Sequence, residues 1–133
     1  IIDFGSSVYA PPGDHIPSAP YGKMYYRAPE LQNVFPDEET TCSPAAAEVW
    51  SLGMVLFTLL AQPTWYNQPF MHGVLHNCNT IASLTAYFKQ HYPALHEVEI
   101  DYLAHMLVSD VHVRYSMDQA LHFIDALIVL EQN

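Results

Sequence analysis

Positive charge is the scarcest property of this chain: four Lys and Arg stand against fourteen Asp and Glu in 133 residues, a formal net charge of −10. Binding to a nucleic-acid backbone needs basic patches that release counterions, so that class of partner is excluded. Cysteine is almost as scarce. Cys42 and Cys78 stand alone, with no C-x-x-C and no disulfide framework, which suits a reducing, intracellular or cytoplasmic setting. No cationic, apolar leader opens the sequence. The longest strongly apolar run, Val49 to Ala61, falls short of the roughly eighteen residues of a membrane span, so no membrane segment is expected. Internal repeats and low-complexity tracts are also missing.

What is present is hydrophobic material for one domain, since half of the residues are hydrophobic. Eight His residues offset part of the negative charge when they protonate below about pH 6.5. Between Ser6 and Tyr21 five Pro and Gly residues interrupt any period, which predicts an extended, mobile loop. A second irregular stretch, Asn33 to Pro44, ends as a helix start should, with Ser43 to cap, Pro44 for the first turn and three alanines after it. The helix expected over 45–61 is apolar nearly all round and so belongs at the centre of a fold. Gly53 inside it implies a close approach by another backbone.

After the aromatic stretch with Trp65, Tyr66 and Phe70, helices are expected over 79–90, 97–108 and 116–130. The last is announced by Ser116 and Gln119 as a capping box. His72, His76 and Cys78 are metal-ligand types at workable spacing, but no fourth ligand completes a zinc set, and the aromatics read more simply as core or groove residues.

Order and spacing carry the functional reading. Asp3-Phe4-Gly5 is followed by "GKMYYRAPEL" with Ala28-Pro29-Glu30, then by "AEVWSLGMVLFTLL", then by "LAHMLVSDVHVRYSMDQALHF". This succession resembles the C-terminal lobe of a eukaryotic protein kinase across essentially the whole chain, 1–133, with an activation segment over 3–30. The resemblance implies a mainly α fold and transfer of the ATP γ-phosphoryl group to protein Ser or Thr. Asp3 would hold Mg²⁺ against the phosphates, with Phe4 setting its orientation and Gly5 permitting the turn, so Asp3, Phe4 and Gly5 form the cofactor site. Gly22, Lys23 and Tyr26 would dock the protein substrate. Glu30 and Arg114 would form a buried structural ion pair.

The family also uses a Gly-rich loop, a strand Lys and a catalytic loop, and none of these lies within the 133 residues. No catalytic residue is therefore assigned in this chain, and the chain alone is expected to be inactive. Three departures from the pattern stand out. Glu48 occupies a position where kinases usually carry Asp, Lys23 stands where Ser/Thr kinases usually have Thr, and Val111 replaces a Pro. These leave open a second reading, a pseudokinase or protein-interaction scaffold. Lys23-Met24-Tyr25-Tyr26-Arg27 does not fit the tyrosine-kinase pattern, which favours Ser/Thr specificity.

Overall fold

In a computed structural model of the chain, residues 9–11, 13, 15–19, 26–32, 40–62 and 78–132 are described. Four helices dominate them: α1 over Pro44–Ala61, α2 over Ile81–His91, α3 over Glu97–Met106 and α4 over Met117–Gln132. Two short strands, β1 at Ile16–Pro17 and β2 at Thr41–Cys42, pair antiparallel, with Ile16 opposite Cys42. A 3₁₀ turn covers Pro29–Leu31.

Each helix begins where its local chemistry allows. Ser43 is extended, and its Oγ accepts from the Ala46 N–H at 3.3 Å, while Pro44 fills a first-turn position that needs no donor. At the other end Gln62 turns into the left-handed region (φ 47°) and donates its N–H to the Thr58 carbonyl. A non-glycine residue pays roughly 1–2 kcal/mol for that conformation. Pro63, next in sequence, has no backbone N–H to offer the helical ladder.

Thr80 and Ser83 cap α2 reciprocally: Thr80 Oγ1 accepts from the Ser83 N–H and Ser83 Oγ accepts from the Thr80 N–H, each at 3.1 Å. For α3, the Glu99 carboxylate accepts the His96 N–H at 2.8 Å. The Ser116 and Gln119 box forms as the spacing implies, with the Ser116 N–H on Gln119 Oε1 at 2.8 Å and the Gln119 N–H on Ser116 Oγ at 3.2 Å.

Packing follows from the apolar faces. Trp50, Met54 and Phe57 of α1 meet Leu84 and Phe88 of α2 and Ile100, Leu103 and Ala104 of α3 in one cluster. Phe57 stacks edge-on against Tyr92 at 5.1 Å and tilts against Phe88 at 5.7 Å. A second cluster joins Val49 of α1, Met106 of α3 and Ala120 and Phe123 of α4. Phe57, Phe88 and Phe123 are fully buried, and each contributes about 1.5–3 kcal/mol through removal of its ring from water. Gly53 marks the tightest crossing. A Cβ built there would lie 2.9 Å from Met106 Cβ and 3.0 Å from Leu107 Cδ2, so only a glycine lets α1 and the end of α3 approach this closely.

Three differences from the sequence reading are informative. First, the region expected to be a mobile loop is pinned in part, because Ile16 and Pro17 pair with β2 and the Ser18 N–H reaches the Thr40 carbonyl at 2.9 Å. Extended residues satisfy their backbone groups on whatever strand lies alongside, and a proline at a strand edge does not prevent it. Second, α3 stops at Met106 rather than at 108, where Leu107 departs from helical geometry. Third, α1 is buried along only one side. Val55 and Leu59 are 44% and 65% exposed, so the all-apolar surface is not wholly enclosed. By length and composition alone this 18-residue helix could cross a membrane. Its contacts with α2, α3 and α4 instead make it the central core helix of the described residues.

Candidate functional site

Arg114 organises the part of the proposed site that the structure describes. Its side chain is fully buried, and it sits in the turn between α3 and α4, where its own N–H donates to the Asp110 carbonyl at 3.0 Å. Arg114 Nη1 donates to Glu30 Oε1 at 2.8 Å and Nη2 to Glu30 Oε2 at 3.0 Å, a two-pronged pair across 84 positions of sequence. The remaining donors are also used. Nη1 reaches the Ala46 carbonyl at 2.8 Å, Nε the Val108 carbonyl at 3.1 Å and Nη2 the Ser109 carbonyl at 3.2 Å. The guanidinium carbon lies 5.3 Å from the Trp50 ring centre, within cation–π range.

A buried guanidinium is tolerable only when its charge and all of its donors are answered, and here a carboxylate, three carbonyls and an indole face answer them. The consequence is mechanical. Glu30 belongs to the 3₁₀ turn, Ala46 and Trp50 to α1, and Val108 and Ser109 to the connection that follows α3, so one side chain joins three segments.

Ahead of Glu30 the chain is gripped again. Ala28 is buried, the Arg27 carbonyl accepts from Gln32 Nε2 at 2.8 Å, and the Tyr26 carbonyl accepts from Ser51 Oγ at 2.7 Å. Tyr26 itself remains 38% exposed. On the other side of the turn, burial pushes the Cys42 thiol above its ordinary pKa; a hydrogen bond with Ser18 opposes it, and the nearby Glu30 charge adds a smaller upward push. That thiol is held neutral. Glu48, the unusual acidic residue of α1, is exposed.

Of the residues expected at the site, the structure therefore brings together Glu30 and Arg114 and places Tyr26 on the surface beside them. Asp3, Phe4, Gly5, Gly22 and Lys23 lie outside the described residues. So do His72 and His76 of the candidate zinc cluster, and Trp65, Tyr66 and Phe70. Cys78 is half-buried beside Tyr87, with its pKa raised by burial. Among the described residues no group of three His, Cys, Asp or Glu side chains could hold a metal. Ser51, Gln32 and the carbonyls of Ala46, Val108 and Ser109 escaped sequence reasoning. Their roles depend on which segments meet, and no spacing signals that.

With this geometry in place, comparison with known families gives one result that covers nearly the whole chain. The family model for the protein kinase domain matches residues 1–123. The chain belongs to the protein kinase domain family. No curated protein and no solved structure matches it.

Proposed function

We propose that this chain is the C-terminal lobe portion of a Ser/Thr protein kinase, carrying the metal-binding Asp3 and the substrate-docking segment of an enzyme that moves the γ-phosphoryl group of ATP to a protein hydroxyl. The observation that carries the reading is the two-pronged Glu30–Arg114 pair, which ties the segment after Ala28-Pro29 to the terminal helices. In a kinase that tie holds the docking loop on the lobe. Asp3 offers the hard oxygen donor that Mg²⁺ requires, and the bound ion would supply charge neutralisation at the phosphates. Within this chain Asp3 would hold the metal, while Gly22, Lys23 and Tyr26 would receive the protein substrate. The 133 residues alone neither position a triphosphate nor provide a base, so they do not catalyse transfer.

The decisive experiment uses the complete gene product. Asp3→Asn keeps the shape and removes the charge, so turnover falls by orders of magnitude while the melting temperature stays nearly unchanged. Persistent activity in that variant removes Asp3 from the metal site. A wild-type protein without magnesium-dependent transfer supports the second reading, a pseudokinase or interaction scaffold. That reading is favoured by one specific feature, the exposed Glu48 where an Asp usually supports the catalytic loop.

A further inference from the structure

Helix α4 has two apolar faces, and the fold uses only one of them. Ala120 and Phe123 are buried against Val49 of α1 and Met106 of α3, with Leu127 packed on the same cluster. Asp118, Leu121, Asp125 and Ile128 recur at intervals of three, four and three, which places them on one stripe on the opposite side of the helix. All four are exposed, Leu121 to 49% and Ile128 to 51%. One exposed Leu carries no meaning, whereas two large apolar side chains at helical spacing, with a carboxylate before each, make a seam.

Charge decides what can cover that seam. From Glu97 to Asn133 seven residues are Asp or Glu, and the one Lys or Arg among them, Arg114, has no exposed side-chain surface and is paired with Glu30. No exposed Lys or Arg of this region offsets the carboxylates of the stripe. A second copy of the chain would bring like charge against Asp118 and Asp125, with a net charge of −10 on each molecule. An anionic lipid surface is repelled for the same reason. A cationic helix with apolar residues at the same three-four spacing satisfies both parts of the stripe, since its Lys or Arg side chains reach the two carboxylates while its Leu or Ile side chains cover Leu121 and Ile128. We propose that the outer stripe of α4 is a docking face for a basic amphipathic helix of another protein. It uses no residue of the Glu30–Arg114 region and requires no phosphoryl transfer, so it stands or falls separately from the kinase reading.

The test uses the complete gene product and a labelled synthetic peptide of about 18 residues, long enough to be helical, with Leu at three-four spacing, Lys on both sides of that seam and Ala elsewhere. Fluorescence anisotropy at low salt measures its affinity. The double variant Leu121→Gln, Ile128→Gln should bind the peptide about tenfold more weakly than wild type, and Asp125→Lys about three- to tenfold more weakly. Glu97→Lys changes the net charge by the same amount on α3 and should leave binding within about twofold. A twin peptide with Glu in place of Lys should not bind. Because every altered side chain is exposed, the melting temperatures of the variants should stay within about 3 °C of wild type.

Equal weakening by Glu97→Lys and Asp125→Lys reduces the effect to general attraction between an acidic protein and a cationic peptide and overturns the docking face. Failure of the wild-type protein to bind the peptide overturns it as well, and so does unchanged affinity in the double Gln variant. Concentration-dependent dimerisation of the wild type that disappears in the double Gln variant assigns the stripe to a second copy and overturns the cationic partner.

Discussion

Replacing Glu30 by Gln removes one charge and almost no volume, yet the structure makes it one of the more damaging single changes available. Arg114 has no exposed side-chain surface, and Glu30 is only 24% exposed. Removing one partner of a buried pair typically costs about 3–5 kcal/mol, because the other charge is left without compensation. Here three carbonyls and the Trp50 face remain in contact with the guanidinium, and a Gln oxygen can still accept one of the two lost bonds. The expected cost therefore lies at the lower edge, about 3 kcal/mol, or roughly 10–15 °C in melting temperature for a domain of this size.

Arg114→Leu acts differently. It relieves the buried charge but strands the carbonyls of Ala46, Val108 and Ser109, while Glu30 can rehydrate. About 3–4 kcal/mol is expected for it. Once Arg114 is gone, adding Glu30→Gln should cost under about 1 kcal/mol, so the cycle should show roughly 2–3 kcal/mol of coupling. Urea unfolding of the two single variants and the double variant in the complete gene product measures this directly. Simple additivity of the two single effects would refute the argument, since it would mean that the two residues do not act through each other.

Further outcomes follow from other parts of the fold. Gly53→Ala should destabilise by about 1–2 kcal/mol despite alanine's better helix propensity, because the new methyl meets Met106 Cβ at 2.9 Å; an unchanged or raised melting temperature would show that α1 and α3 part easily. Burial raises the pKa of Cys42, Cys78, Tyr87, Tyr102 and Tyr115, so their neutral forms are favoured in the folded chain. The unfolded chain then loses these protons first. The stabilising contribution is complete below the ordinary values of 9.0 for Cys and 10.0 for Tyr and is lost as pH rises through the higher folded-state values, which a flat melting temperature up to about pH 10.5 would contradict. Val55 and Leu59 present apolar surface, so the 133-residue chain should bind a hydrophobic dye, and replacing both by Gln should reduce the signal with a stability change within about 0.5 kcal/mol per site.

Local chemistry was legible in the amino-acid order because it acts over a few residues. Ser43 before Pro44, and Ser116 three positions before Gln119, satisfy backbone donors within one turn, so the starts of α1 and α4 could be read to within a residue. The succession of motifs carried the family, since the order of Asp3-Phe4-Gly5, Ala28-Pro29-Glu30 and the later helices does not depend on coordinates. The joining of Glu30 to Arg114 was expected from resemblance alone, and no property of either residue implies the other.

Tertiary structure decided what those residues meet. Gly53 signalled a close approach, but that the approaching atoms are Met106 Cβ and the Leu107 side chain depends on how α3 crosses α1. The reach of Ser51 to the Tyr26 carbonyl, and the pairing of Ile16 with Cys42, depend on segments that meet across 25 and 26 positions. The side of α1 left open was equally hidden, because a helix apolar all round carries no mark of which stripe its neighbours will cover. Hydrophobicity drives burial without direction, and only the packed helices select Val49, Trp50, Met54 and Phe57 for the interior while Val55 and Leu59 stay in contact with water.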